Sequence, residues 1–189
     1  MTETDKQEIR MIETSRLRLY DLSDRHREAF AKMHDEPEVM EDLGGAIDRI
    51  EANAKFDRYL AARATHGVAR WAVEDRDGIF LGYCGVMPRL DIDHPLGPHH
   101  EVGWRFRREA WGNGYAYESA SAALRHAQID LGLTSIVSYT GENNLRSQSV
   151  MRKLGLIRDA SQDFTLNLLP NAWRGLVWIV PADVQHIAQ

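Results

Sequence analysis

Two glycines flanked by aromatic residues lie in a segment whose backbone could bind an anion. The segment Trp111 to Ala116 reads Trp-Gly-Asn-Gly-Tyr-Ala, and it connects an apolar run at Val102 to Arg107 with an alanine-rich run that begins at Tyr115. Glycine lets the backbone bend and lets a ligand come close, and the first N–H groups of a following helix have no partners within that helix. The segment therefore predicts a phosphate or pyrophosphate site, although a tight helix-entry turn would explain both glycines without a ligand.

Two common phosphate-binding motifs are excluded by the residues around this segment. No Gly-Lys-Ser or Gly-Lys-Thr follows Gly114, so the segment is not a P-loop. The acidic residue of a dinucleotide fingerprint is also missing, and the preceding strand is predicted to be antiparallel to its neighbours. The ligand class must therefore come from a second motif.

That second motif is Asn143 to Leu156, which reads Asn-Asn-Leu-Arg-Ser-Gln-Ser-Val-Met-Arg-Lys-Leu-Gly-Leu and lies one helix and one strand downstream. Together the two motifs resemble the GNAT acetyltransferases, and most closely the RimJ/RimL-type branch. Trp111 to Glu118 matches Trp-Gly-x-Gly-Tyr-Ala-x-Glu of that branch, and Asn144 to Gly155 matches Asn-x-x-Ser-x-x-Val-x-x-Lys-Leu-Gly. Glu13 to Leu19 is similar to its opening strand, and the resemblance extends to about Val180.

The resemblance implies acetyl-CoA as the cofactor and places it on particular residues. Backbone N–H groups of the glycine segment would bind the pyrophosphate, and the pantetheine arm would lie beside the Trp104 to Arg107 strand. The thioester would lie where that strand separates from the Ser135 to Tyr139 strand. Arg107 and Arg108 could pair with phosphates or be solvated charges at a strand end. The predicted cofactor-binding residues are Trp104, Arg105, Phe106, Arg107, Gly112, Asn113, Gly114, Tyr115, Ala116, Asn144 and Ser147.

Acetyl transfer to an amine requires a neutral amine, a stabilised oxyanion and a proton for the departing thiolate. Glu101 is the predicted general base, with a surface carboxylate as the alternative. The resemblance implies a backbone N–H near Trp104 or Arg105 for the oxyanion. Met151 occupies the position where many relatives carry a proton-donating Tyr, so Ser147 is the predicted donor. Its alternative is a hydroxyl bonded to its own helical turn.

Other reactive side chains predict little chemistry. Cys84 is the only cysteine, which excludes an internal disulfide, and its apolar neighbours favour a buried, unreactive thiol over a nucleophile. His94, His99 and His100 do not have the spacing of metal ligands, so no metal is predicted. His100 stays a second candidate base.

Composition limits the remaining possibilities. The chain has 189 residues, of which 43% are hydrophobic and 27% charged, with a formal net charge of -5. These values predict one globular domain over residues 13–183 with polar tails at 1–12 and 184–189. They disfavour a nucleic-acid partner because no dense basic block is present. No signal-peptide pattern or membrane-spanning run is found, so a cytoplasmic location is expected.

The periodicity of apolar residues predicts the elements that position these motifs. Their order is β, αα, ββ, β, α, β, α, ββ. This order predicts an α/β or α+β fold with a mixed sheet. The resemblance implies the GNAT fold, in which helices flank a central mixed sheet. The strands with predicted bounds are 12–20, 69–74, 80–87, 101–107, 135–139 and 175–180, while the other strand of the final pair has none, and the predicted helices are 24–34, 48–63, 115–131 and 144–154.

The acceptor is an amine in the leading hypothesis, and the sequence leaves its identity open. It would be a protein N-terminus, as in RimJ/RimL relatives, or a small-molecule amine. Acidic residues at Asp35 to Asp42, with Asp91 and Asp93, could favour a cationic amine or could simply be a soluble loop. A non-catalytic acyl-CoA-binding protein and a nucleotide-phosphate-binding module are the competing hypotheses. The sequence allows a homodimer without establishing one.

Overall fold

A mixed sheet of nine strands forms the frame of the protein. The structure is a computed structural model that describes residues 11–168 and 171–182. The strand order is β1-β2-β3-β4-β5-β6-β9-β7, with β8 also paired to β9, and only the β5–β6 pair is parallel. The strands are Met11–Glu13 (β1), Leu17–Asp21 (β2), Trp71–Asp75 (β3), Phe80–Arg89 (β4), His99–Phe106 (β5), Ile136–Gly141 (β6), Ile157–Arg158 (β7), Phe164–Leu168 (β8) and Asn171–Ile179 (β9).

Helices flank both faces of this sheet. They are Arg27–His34 (α1), Pro37–Met40 (α2), Arg49–His66 (α3), Tyr115–Arg125 (α4) and Leu145–Lys153 (α5), and α4 continues into a π-helical turn, His126–Asp130. Local signals fix the ends of α3, because Asp48 Oδ1 accepts a hydrogen bond from the Glu51 N–H at 2.8 Å and Gly67 ends the helix at φ 68°. The mixed sheet with flanking helices confirms the predicted fold class.

The core divides between the two faces of the sheet, as the alternation of side chains along a strand requires. Val73 and Cys84 belong to the apolar cluster under α4 and α5, whereas their neighbours Ala72 and Tyr83 belong to the cluster under α1 and α3. Phe30 of α1 is fully buried in that second cluster. Both faces therefore hold the central strands in fixed positions, which matters because β5 carries the site.

Several predicted boundaries differ from the structure. The strand predicted at 12–20 is a hairpin of β1 and β2, because Thr14–Arg16 form a turn that the alternation of apolar residues did not reveal. The predicted order ends in two strands, of which only 175–180 was given bounds, whereas the structure has three strands there, and the short helix α2 was not predicted. Of the predicted tails, residues 1–10 and 184–189 lie outside the described residues, while Met11 and Ile12 belong to β1. None of the helices in the described ranges combines the length and hydropathy needed to cross a bilayer.

Candidate functional site

Strands β5 and β6 separate soon after they begin to pair. Their parallel register contains only His100–Ile136 and Glu101–Val137, whereas β5 stays paired with β4 along its whole length to Phe106. The second half of β5 therefore has one edge without a neighbouring strand. Such an edge can accept an extended ligand in the way a sheet accepts another strand.

The peptide groups on that open edge can be identified from the hydrogen bonds on either side of β5. The Arg107 N–H donates to Leu81 O of β4 at 2.9 Å, and the Ser138 hydroxyl of β6 donates to Val102 O at 2.8 Å. Because peptide groups alternate in direction along a strand, the N–H and C=O of Trp104 point to the open side and those of Arg105 point to β4. Of the two predicted oxyanion donors, the geometry favours the N–H of Trp104.

The glycine segment begins α4 as the sequence predicts. Gly112 and Gly114 have φ values of 78° and 79°, in the left-handed region that other residues avoid, and no side chain caps the helix. The N–H groups of Tyr115 and Ala116 therefore lack intrahelical partners and lie at the positive end of the helix dipole. These features are what a bound pyrophosphate requires.

The turn between β1 and β2 supports the start of α4. Glu118 accepts hydrogen bonds from the Thr14 hydroxyl at 2.6 Å and the Arg16 N–H at 2.9 Å, and its Oε2 pairs with the Arg16 guanidinium at 2.6 Å. Arg16 also donates to Asn113 O at 2.9 Å and lies 4.9 Å from the Tyr115 ring centroid. This network fixes the position of the glycine segment. The sequence contains both the β1–β2 turn and the start of α4, but it does not show the hydrogen bonds that join them.

A cavity of about 380 Å³, here called the outer cavity, lies between the open edge of β5, the start of α4 and helix α5. Arg146 and Lys153 of α5 line it and were not predicted. The Arg146 guanidinium lies 4.0 Å from the Trp111 ring centroid, so the indole holds this cation beside the glycine segment. The outer cavity is therefore positively charged where a pyrophosphate would lie.

A smaller cavity of about 140 Å³, the inner cavity, lies where β5 and β6 diverge. Its walls come mainly from β4, β5, β6, α3 and α5, and they include Lys55, Tyr139 and Met151. The residues that line both cavities are Asp42, Trp104, Arg105 and Ser147. A chemical step that joins a ligand in one cavity to a ligand in the other would take place beside these residues.

Glu101 lies in the wall of the inner cavity within a cluster of arginines. Its Oε2 lies 2.9 Å from Arg70 Nη2 and 2.6 Å from Arg89 Nη2, and the side chain is 9% exposed. Burial would raise the pKa of Glu101, but Arg70 and Arg89 outweigh it and hold the pKa below its ordinary value. A carboxylate of this kind is a weak base at neutral pH, so the geometry favours a structural role over the predicted catalytic one.

Gly103 leaves room for this cluster. A Cβ at this position would lie 2.7 Å from Arg70 Nη2 and 3.0 Å from Glu101 Oε1. Any larger residue would therefore displace the guanidinium, which also donates to the Glu101 carbonyl at 2.9 Å. The glycine is required by the close approach of a side chain.

Asp42 lies in the segment after α2 and connects it to β5, to β9 and to the start of α5. Its carboxylate pairs with Arg105 Nη1 at 2.9 Å and accepts from Asn144 Nδ2 at 2.9 Å, and its carbonyl accepts from Trp173 Nε1 at 3.0 Å. Asn144 Oδ1 in turn accepts from the Ser147 N–H at 3.1 Å and caps α5. Arg105 and Asn144, both predicted to bind cofactor, are thus also part of the frame that orients Ser147.

Ser147 lies at the junction of the two cavities, and its hydroxyl makes no hydrogen bond with the residues that the structure describes. Ser119 shows the contrast, because its hydroxyl donates to Tyr115 O at 2.7 Å within its own helix. The alternative considered for Ser147, a bond to its own turn, is therefore not observed. Met151 is fully buried beneath it and has no proton to donate.

Some candidate residues lie away from the cavities. Arg107 does not line the outer cavity; its guanidinium donates to Phe80 O at 3.4 Å and lies 3.6 Å from Glu109. Asn113 donates its side-chain amide to Ala110 O at 3.2 Å, so only its backbone could contact a phosphate. His100 lines neither cavity, and Cys84 is fully buried. No group of three or more potential metal ligands occurs among the described side chains.

Comparisons with known proteins agree with this geometry. The family described as acetyltransferase (GNAT) domain matches residues 16–157. An Aspergillus fumigatus protein named FsC-acetyl coenzyme A-N(2)-transacetylase is 32% identical over 151 residues, which cover 77% of this chain and 64% of that protein. The uncharacterized Bacillus subtilis protein YkkB is 30% identical over 145 residues, which cover 76% of this chain and 83% of YkkB.

Solved structures share the fold. An acetyltransferase from Agrobacterium tumefaciens superimposes with a TM-score of 0.76 at 24% identity, covering 95% of this chain and 99% of that one. RimL, a ribosomal L7/L12 alpha-N-protein acetyltransferase, superimposes with a TM-score of 0.71 at 11% identity, covering 92% of this chain and 94% of that one. With the family match over residues 16–157, the chain belongs to the GNAT acetyltransferases, enzymes that use acetyl-CoA as the acetyl donor.

Proposed function

We propose that this chain transfers the acetyl group of acetyl-CoA to a primary amine, that residues 13–183 form the acetyltransferase domain, and that it belongs to the RimJ/RimL-type branch. The observation that carries the proposed activity is the meeting of two cavities at Trp104, Arg105 and Ser147. The outer cavity suits a long anionic cofactor, and the inner cavity suits the small reacting end of an acceptor.

The residues present fit acetyl-CoA, which supplies an activated acetyl group as a thioester. The free N–H groups at the start of α4 suit the pyrophosphate, with Arg146 and Lys153 as further cations on the wall. The open edge of β5 suits the amide groups of the pantetheine arm. The predicted binding of the cofactor by Gly112 to Ala116, Trp104 and Phe106 is therefore part of this proposal.

Two groups of the chain would serve the transfer itself. The amine nitrogen bonds to the acetyl carbon as the carbon–sulfur bond breaks, the amine loses one proton and the sulfur gains one. The N–H of Trp104 would donate to the developing oxyanion, and the free hydroxyl of Ser147 would protonate the sulfur and regain a proton from water. The amine proton would pass to water, because two arginines lower the pKa of Glu101 and make it a weak base.

The sequence motifs and the relatives' names support the finer assignments to different degrees. The motifs at Trp111 to Glu118 and Asn144 to Gly155 resemble those of the RimJ/RimL-type branch, which supports that assignment. The name of the Aspergillus relative specifies transfer to a nitrogen, N(2), which supports an amine acceptor here. RimL, at 11% identity, supports the fold alone.

Two measurements test the proposed function. The Tm of the purified chain is expected to rise with acetyl-CoA and with CoA and to stay unchanged with ATP, because a ligand stabilises the fold that binds it. Free thiol is then expected to appear when a broad set of amines is added with acetyl-CoA. Stabilisation by ATP and not by CoA would contradict the cofactor. Binding of acetyl-CoA without thiol release from any amine would support a non-catalytic acyl-CoA-binding protein instead.

A further inference from the structure

The inner cavity has an excess of positive charge. Its wall contains the cations Lys55, Arg70, Arg89 and Arg105 and the carboxylates Asp42 and Glu101. The Arg105 charge is balanced by Asp42 at 2.9 Å. Glu101 must balance Arg70 and Arg89 together, so one positive charge remains in that cluster before Lys55 is counted. The sequence left open whether acidic residues surround the acceptor, and the charged side chains that line the inner cavity are mostly cationic.

Lys55 is the cation whose charge is least compensated. It is half-buried on the face of α3 that borders the inner cavity, and no carboxylate among the described residues lies within ion-pair distance of its Nζ. Burial lowers the pKa of Lys55, and Arg105, Arg89 and Arg70 act in the same direction against the opposing effect of Tyr59. A partly desolvated cation among other cations is unfavourable unless an anion pairs with it.

We infer that the acceptor is a small amino acid-like molecule whose carboxylate pairs with Lys55 and with the excess positive charge of the Arg70–Arg89–Glu101 cluster in the inner cavity. The inference rests on the proposed acetyl transfer and specifies its acceptor. A cavity of about 140 Å³ is smaller than the roughly 300–1,000 Å³ that drug-sized ligands occupy, so the part of the acceptor that enters is small. The remaining wall is aromatic, with Tyr139 and Trp173, and suits an apolar side chain.

The same cations would also prepare the amine for attack. An amine that enters a site of positive potential loses its proton more easily, because nearby like charges disfavour the ammonium form. The carboxylate of the acceptor compensates the site as a whole, while its amine stays close to Arg105 and Trp104 at the junction of the two cavities. Such a site needs no strong protein base, which agrees with the double ion pair of Glu101.

A matched set of amines tests this inference. Leucine, leucinamide and 3-methylbutylamine share one side chain and differ only in the carboxylate, and a leucine-initiated tripeptide amide represents a protein N-terminus. Leucine is expected to have the highest kcat/KM. Lys55→Met should lower kcat/KM for leucine roughly 10–100-fold more than for leucinamide, the range of a charge-assisted hydrogen bond. Lys55→Arg should restore part of the preference for leucine over leucinamide. Lys32→Met, at an exposed position of α1, is the matched control.

The outcomes separate this inference from the proposed function. If leucinamide, 3-methylbutylamine or the tripeptide amide reacts as well as leucine, the carboxylate site is wrong while the acetyltransferase assignment stands. If no amine releases thiol, the proposed function fails, and binding of N-acetylleucine with CoA, measured by calorimetry, decides the site independently. Binding weakened roughly 10-fold or more by Lys55→Met would support the carboxylate site, and equal binding of N-acetylleucinamide would refute it. Circular dichroism of each variant confirms that it is folded.

Discussion

Replacing Glu101 by glutamine distinguishes a structural carboxylate from a catalytic one. Glu101→Gln keeps the shape of the side chain and leaves Arg70 without its counter-charge, and the Arg70 side chain is only 3% exposed. Removing one member of a buried ion pair costs about 3–5 kcal/mol of unfolding free energy. Arg89 is 37% exposed and contributes little of this cost, so about 3 kcal/mol is expected.

The expected loss is large enough to measure by thermal and urea denaturation. For a chain of this size, each 1 kcal/mol shifts Tm by about 2–4 °C, so Glu101→Gln should lower Tm by about 6–12 °C. Glu28→Gln removes an exposed partner of Lys32 and Arg49 and should cost less than about 1 kcal/mol. Turnover of the folded variant, measured well below its Tm, should fall by less than about 10-fold.

The pH dependence follows from the lowered pKa of Glu101. Its stabilising effect is fully present above the ordinary carboxyl pKa of 4.5 and is lost only as the pH falls through the lower value of the folded state. The difference in unfolding free energy between the parent chain and Glu101→Gln should therefore be equal at pH 7.5 and pH 5.5. A stable variant whose turnover falls roughly 10²-fold or more would refute this reasoning and restore the base role.

Three further predictions concern the cofactor side and the core. Ser147→Ala should lower turnover roughly 10²-fold with unchanged acetyl-CoA affinity by calorimetry, because a proton donor is lost, whereas Ser149→Ala in the same cavity should have no such effect. Gly114→Ala forces alanine to φ 79° and should cost about 1–2 kcal/mol and weaken acetyl-CoA binding, while Gly132→Ala at φ 67° should cost stability alone. Burial raises the pKa of Cys84 to about 11, so iodoacetamide should label it only after unfolding, and rapid labelling of the native chain at pH 8 would contradict its buried position.

The elements that carry strong local signals could be predicted from the sequence. Asp48 and Gly67 mark the ends of α3, the turn around Gly78 gives the β3–β4 hairpin, and the two motif segments lead into α4 and α5. Strands β7 and β8 could not be located from the sequence, because β7 contains two residues and the residues of β8 are stabilised by pairing with β9 rather than by a pattern of their own. The periodicity of apolar residues therefore predicts those elements that bury one face of their own against the core.

The walls of the inner cavity could not be predicted in this way. Lys55, Arg70 and Arg89 belong to α3, the approach to β3 and the end of β4, and only the register of β3, β4 and β5 brings them to Glu101. No spacing in the sequence relates them. The roles of the predicted site residues, the cytoplasmic location and the homodimer stay predictions.

The close approach of Arg70 to Gly103 has a consequence for how this site can change. Because a Cβ at residue 103 would lie 2.7 Å from the guanidinium, substitutions at Gly103 and at Arg70 are coupled. In a library that varies both positions, alanine at 103 should be tolerated mainly in chains that have a smaller residue at 70. Such chains would leave Glu101 with Arg89 alone, and they would have an inner cavity with less positive charge. Gly103 thus limits the single substitutions by which the acceptor preference of this site could change.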